Sequence, residues 1–277
     1  MDIPSLAGAM PDGSSWPRIS IVTPSFNQGP FIEETIRSVL LQGYPNLEYI
    51  VMDGGSTDGT VEIIKKYEPY LSHLRIGPDG GQSAAIAEGF DRATGDILAW
   101  LNSDDRYRPG AFIRIAQFFS RHPKVGFGNG DVNYVDAQGA FRARIYAIRP
   151  NSFLTANIGQ HGWPQQGCFW RRSAYLQAGG MDQSLRFCMD RDLFIRLTML
   201  VSSKRIPGPP LADFREHSTA KSSTMLDVAR AEGNALIAKY SSPQLRRAQN
   251  LLQLLWSLWC KPRSIRARLY RIYGIEL

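Results

Sequence analysis

The segment AWLNSDDRY, residues 99–107, sets Asn102, Asp104 and Asp105 together directly behind an apolar run. Carboxylates crowded in one place repel each other unless something cationic joins them. Three other polar stretches share this setting. TPSFN (23–27), MDGGSTD (52–58) and PDGGQS (78–83) each follow an apolar run of strand length. If those strands are parallel, all four loops end at one sheet edge, the place where open α/β sheets bind ligands. A divalent metal then resolves the charge: Asp104, phosphate and solvent oxygens suit Mg²⁺ or Mn²⁺ better than zinc. Such an ion would in turn hold a diphosphate.

The elements that must position these residues alternate in type. Ile19 to Thr23 is a strand, and Phe31, Ile32, Ile36, Val39 and Leu40 recur at helical spacing behind it. LEYIVMD (47–53) predicts a second strand, GGSTDGT a turn in which Asp58 serves as N-cap, and VEIIKKYEPY a helix. A short strand is expected at Leu74 to Ile76, then a glycine-rich turn and a helix of small residues, the strand DILAWLN, and a helix over 111–121. CMDRDLFIRL (188–197) opens a further helix. Strands alternating with helices predict βαβ units around a mainly parallel sheet.

Composition is that of a globular chain: 277 residues, 43% hydrophobic and 21% charged. The N-terminal stretch carries Asp2, Asp12, prolines and glycines with no continuous apolar segment, and reads as a flexible lead rather than a signal. Cys168, Cys188 and Cys260 are too far apart for a C-x-x-C pair and fit a reducing, cytoplasmic setting. The net charge of +7 is concentrated: from Arg246 onward seven cations face Glu276 alone, leaving +1 for everything before. That distribution argues against nucleic acid. The same tail reads LLQLLWSLW, too short to span a bilayer but able to lie on an anionic membrane surface. The competing possibility is that these leucines pack on protein.

ISIVTPSFNQGPFIEETIRSVLLQGYPNLEYIVMDGGSTDGT, followed by DGGQSAAIAEGFDRATGDILAWLNSDD, resembles the family 2 glycosyltransferases of the GT-A fold, of the bacterial surface-polysaccharide type. The resemblance implies a Rossmann-like α/β domain over 18–222, a lead over 1–17 and a basic, helical C-terminal extension over 223–277. It implies that Thr23, Pro24 and Asn27 line a nucleotide pocket, with Asp53 facing the base, commonly uracil. Asp79, Gln82 and Ser83 would border the nucleotide or donor sugar. Asn102 stands where the D-x-D motif has its first acid, so metal binding falls to Asp104, helped by Asp105. FREHSTAKS (214–222) nominates His217 for the metal or diphosphate and Lys221 for phosphate. Asp190 matches the family's catalytic base, with Asp192 as competitor and Met189 where many relatives have Glu. The activity implied is inverting, metal-dependent hexosyl transfer from a UDP-sugar to a saccharide or lipid-linked saccharide, on the cytoplasmic face of the membrane.

Blander roles compete at several positions. Asp105 could be a solvated acid at a helix start, and Gly54, Gly55, Gly80 and Gly81 plain turn glycines. His161, Trp163, Phe169 and Trp170 read as loop or packing residues. Two other functions remain open: a nucleotidyltransferase, although TPSFNQGP lacks the cation that would grip a triphosphate, and a non-catalytic sugar-nucleotide-binding scaffold, which Asn102 favours. Neither G-x-G-x-x-G after a strand nor a Walker G-K-[ST] is present. The donor sugar and the acceptor depend on the loops over 138–165, where residue pattern carries no chemical code.

Overall fold

The computed structural model describes residues 8–148, 150, 152, 156–157 and 163–247. His161 and the apolar, basic tail from 248 onward lie outside the described residues. Among the described residues no helix is long and apolar enough to cross a membrane.

Strand β1 (Ile19–Ser25) is buried along its whole length because it is central: β2 (Leu47–Asp53) and β4 (Ile97–Trp100) pair with it in parallel on its two sides. β3 (His73–Ile76) extends the parallel set beyond β2. On the other side β9 (Cys168–Arg171) runs antiparallel between β4 and β6 (Val125–Asn129), and β10 (Ser202–Arg205) closes the seven-stranded sheet in parallel with β6. Sequence and structure agree on β2 and on helix α4 (Ala111–Arg121) to the residue. Asp58 falls one position short of the expected cap: Gly59 is the N-cap of helix α2 (Thr60–Tyr67), while Asp58 accepts the Thr60 N–H at 3.2 Å.

Two cores form because strand side chains alternate between faces. Ile19, Ile21, Ala99 and Val51 pack with α1 (Ile32–Leu40) and α4, while Val22, Leu98, Trp100 and Met52 pack with α3 (Gln82–Arg92) and α6 (Met189–Leu200). Small residues let α3 lie directly on β1. A Cβ at Gly89 would come 2.5 Å from Val22 Cγ1. Trp163, Phe169 and Trp170 are core aromatics, with the Trp170 ring 5.5 Å from Trp100.

A second sheet, β5 (Arg106–Tyr107), β11 (Ala212–Arg215), β7 (Val132–Val135) and β8 (Phe141–Ile145), was not foreseen from the sequence. Its strands have two to five residues, too short to show a periodicity, and apart from the β7–β8 hairpin they pair over long range, Tyr107 opposite Ala212. This sheet matters for the site because β5 follows the 102–105 loop and β11 leads to His217.

Candidate active site

The parallel strands end in register, Ser25 opposite Asp53 and Asp53 opposite Ile76, so the four polar loops emerge together as expected. Side chains tie them to one another. Asn27, in left-handed backbone at φ 51°, donates its N–H to Ser56 Oγ at 2.8 Å and accepts the Thr57 N–H at 2.9 Å. Asp58 accepts the Gly29 N–H at 3.0 Å. Asp53 is fully buried, and its carboxylate takes the N–H groups of Gly55 and Ser56 and the Ser56 hydroxyl. Asp53, expected to face a base, shapes the 54–56 loop through these bonds and is not on the wall of the cavity that the loops enclose.

The loops enclose a cavity of about 540 Å³. Of the residues expected at the donor, Pro24, Asp79, Gln82, Asn102 and Asp104 lie on its wall. Thr23, Asn27, Asp53 and Ser83 are not on it: Asn27 is exposed, and the other three are buried, with Thr23 Oγ1 3.1 Å from the Tyr49 hydroxyl and the Ser83 hydroxyl donating to the Leu185 carbonyl. Phe26, not among the residues expected at the donor, also lines the cavity while 60% exposed. An aromatic in a polar loop just past a strand was the available signal, since a bare ring there finds no core to join.

A second cavity of about 330 Å³ adjoins the first, and Gln82, Asn102, Asp104 and Lys221 line both. These side chains form a linked wall. Lys221 Nζ donates to Gln82 Oε1 at 2.7 Å, and Gln82 Nε2 donates to Asn102 Oδ1 at 2.8 Å. Asn102 Nδ2 in turn faces Asp105 Oδ2 at 3.3 Å. An acid at position 102 would set carboxylate against carboxylate there, whereas the amide donates. Burial lowers the Lys221 pKa, against the opposing pull of Glu232 and Asp190.

The two adjacent acids have different surroundings. Asp104 Oδ2 lies 3.0 Å from His217 Nε2, whose other ring nitrogen is held 2.9 Å from Thr219 Oγ1 and whose ring packs 4.5 Å from that of Phe31. Asp105, expected beside the ion, is instead turned inward. It is 1% exposed, accepts the Arg215 N–H at 2.9 Å and Gln166 Nε2 at 2.8 Å, and is on neither cavity wall. Burial, followed by the Asp104 charge, pushes the Asp105 pKa well up. Asp104 and His217 fit a divalent cation: a carboxylate oxygen on both cavity walls meets the ring nitrogen of a buried imidazole that itself lines neither cavity, and the Thr219 contact orients the ring as metal-binding histidines are oriented. Among the described residues no group of three His, Cys, Asp or Glu side chains gathers for a metal, so this pair leaves further positions to phosphate and water.

Asp190 lies in the first turn of α6, on the wall of the second cavity with Phe187, Met189 and Trp163. Asp192 does not line it. Its fully buried carboxylate takes Arg196 at 2.8 Å, Lys239 at 3.0 Å and the Tyr240 hydroxyl at 2.7 Å. Burial alone would raise the Asp192 pKa, but these three donors outweigh it and hold the group below the ordinary carboxylate value.

A mainly parallel sheet flanked by helices, with polar loops gathered at one edge around adjoining cavities, is the GT-A glycosyltransferase arrangement. The pattern of Glycosyl transferase family 2 matches residues 20–176, more than half of the chain, and the chain belongs to that family. It is 36% identical over 109 residues to TuaG of Bacillus subtilis, named for teichuronic acid biosynthesis, a match spanning 38% of this chain and 43% of that one. The fold resembles TarS 1–349 of S. aureus, solved with UDP-GlcNAc, at TM-score 0.63 and 16% identity, over 85% of this chain and 70% of that one. It also resembles the mannosyltransferase PcManGT of Pyrobaculum calidifontis, solved with GDP-Man and Mn²⁺, at TM-score 0.58 and 20% identity, over 94% and 76%.

Proposed function

We propose that this glycosyltransferase moves a sugar from a UDP-sugar to a saccharide or lipid-linked saccharide in surface-polysaccharide assembly, with inversion at the anomeric carbon. The observation that carries this is the shared wall: the larger cavity takes the nucleotide donor and the smaller one the acceptor, so the reacting carbon sits beside Gln82, Asn102, Asp104 and Lys221. In the larger cavity the exposed Phe26 ring stacks on the base. Asp190, on the acceptor side, takes the proton of the attacking hydroxyl as the bond to the leaving diphosphate breaks on the opposite side, and attack from that side inverts the centre. The Lys221 ammonium faces the departing diphosphate. Asp104 and His217 would hold Mn²⁺ or Mg²⁺, which when bound supplies positive charge to the diphosphate. Support from relatives is the naming of TuaG for a surface polymer and the UDP-sugar bound to TarS.

The test is thermal unfolding of the full-length protein with UDP-glucose, UDP-GlcNAc, UDP-galactose and GDP-mannose, with and without Mn²⁺. A ligand at about 100 times its Kd stabilises the native state by about 2.7 kcal/mol, several degrees for a domain of this size. At least one UDP-sugar should raise Tm, and only with Mn²⁺. Slow release of free sugar and UDP then accompanies binding. Formation of pyrophosphate would indicate a nucleotidyltransferase, and binding with no turnover on any acceptor a scaffold.

The +6 tail and its LLQLLWSLW run suggest attachment to anionic lipid, where each cation near the surface adds on the order of 1 kcal/mol. The full chain should sediment with phosphatidylserine vesicles at low salt, and a chain ending at Ser242 should stay in the supernatant with donor binding intact. Equal sedimentation of the two would place the tail on protein instead.

A further inference from the structure

The helix that presents Asp190 has no cap of its own. Its N-cap, Cys188, makes no side-chain capping bond. The segment leading into it is held from outside, by helix α8 (Leu226–Tyr240), which sequence grounds assign to the C-terminal extension. Glu232, on the first half of α8, accepts three successive backbone N–H groups: Arg186 at 2.7 Å on Oε1, and Phe187 at 2.9 Å and Cys188 at 2.8 Å on Oε2. Successive amides converging on one anion form a nest, and charge-assisted bonds of this kind are among the stronger ones. Phe187, Met189 and Asp190, the residues just beyond, line the acceptor-side cavity.

The rest of α8 makes the same docking in register. Gly233 faces Arg191, where a Cβ would stand at an ordinary contact distance of 3.4 Å from Nη1, and Leu236 is buried. Two turns after Glu232, Lys239 and Tyr240 reach Asp192, two residues beyond Asp190 in the same first turn of α6. Positions 232, 233, 236, 239 and 240 share one face of a helix. One face of α8 thus grips α6 on both sides of Asp190.

We infer that Glu232 is a positioning residue for Asp190, fixing from a separate helix the backbone that aims this carboxylate at the acceptor. The inference rests on the assignment of Asp190 as base. Glu232 lines neither cavity, its hydrogen bonds go to the 186–188 backbone on the acceptor side, and its charge reaches the shared wall only through its pull on Lys221, so its loss falls on transfer more than on donor binding. A misplacement of about 1 Å at reacting groups costs on the order of 100-fold in rate.

The experiment is a double-mutant cycle on the full-length protein, measuring kcat for transfer, donor Kd by titration and Tm. Glu232→Ala should lower kcat about 100-fold and leave donor Kd within about twofold. Glu232→Gln, whose single carbonyl can still accept two of the three N–H groups, should fall between it and wild type. In an Asp190→Asn background the Glu232→Ala effect should disappear, because a group that acts through Asp190 has nothing left to aim. A full 100-fold loss on top of Asp190→Asn, or a fall in Tm with kcat per folded molecule unchanged, overturns the positioning role alone. Near-normal turnover of Asp190→Asn itself overturns the base assignment and this inference with it.

Discussion

Asp190→Asn should give a folded protein that binds its donor within about twofold of wild type yet turns over about a thousandfold more slowly, the middle of the range that general-base catalysis supplies. The amide keeps the shape and cannot take the proton. Asp192→Asn should behave in the opposite way. Its turnover per folded molecule stays near normal, while stability drops by on the order of 2 kcal/mol, less than for a fully buried pair because Lys239 is half exposed. This second loss depends on pH in a direction set by the depressed Asp192 pKa. A carboxylate held below its unfolded value of about 3.9 stabilises the fold above that value and ceases to do so as pH falls through the folded one. The Tm gap between wild type and Asp192→Asn should be full at pH 7 and close below about pH 4. A dead Asp192→Asn beside an active Asp190→Asn would reverse the assignment of the two acids.

Asp104→Ala should cost at least about 100-fold in donor affinity measured in Mn²⁺ and remove the difference between Mn²⁺ and EDTA, with the fold intact. Asp104 is on the cavity surface and its closest side-chain partner is His217, so truncation opens no hole in either core. Asp105→Ala is the contrast. It strips the Arg215 N–H and the Gln166 amide of their acceptor, a loss of about 1–3 kcal/mol per unsatisfied group, and should appear as a lowered Tm. Isothermal titration of UDP with and without Mn²⁺, beside unfolding curves, separates the two variants. Unchanged Mn²⁺-dependent affinity in folded Asp104→Ala would remove this residue from the metal site.

The sequence by itself determined the frame. Apolar runs of strand length ended by polar loops placed Pro24, Asp79, Gln82, Asn102 and Asp104 at one sheet edge, and all five are on the wall of one cavity. Helical spacing delimited α4 to the residue because its buried set, Phe112, Ile115, Ala116 and Phe119, repeats within eleven residues. Both signals are local, so both can be read locally.

Which member of each acidic pair meets the cavity was decided only by the tertiary structure. Asp104 and Asp105 are adjacent and chemically identical, and what turns Asp105 inward is the Arg215 N–H, 110 positions away. Asp190 and Asp192 share a helix, and what removes Asp192 from consideration is Tyr240, 48 positions on, in a segment that pattern alone assigned to an appendage. The same holds for Asn102, whose missing charge makes sense beside the buried Asp105 carboxylate, and for Asp53 and Ser83, held off the wall by loop amides and by the Leu185 carbonyl. Backbone periodicity fixes where a side chain starts, but its direction and charge state depend on partners that only folding brings within 3 Å.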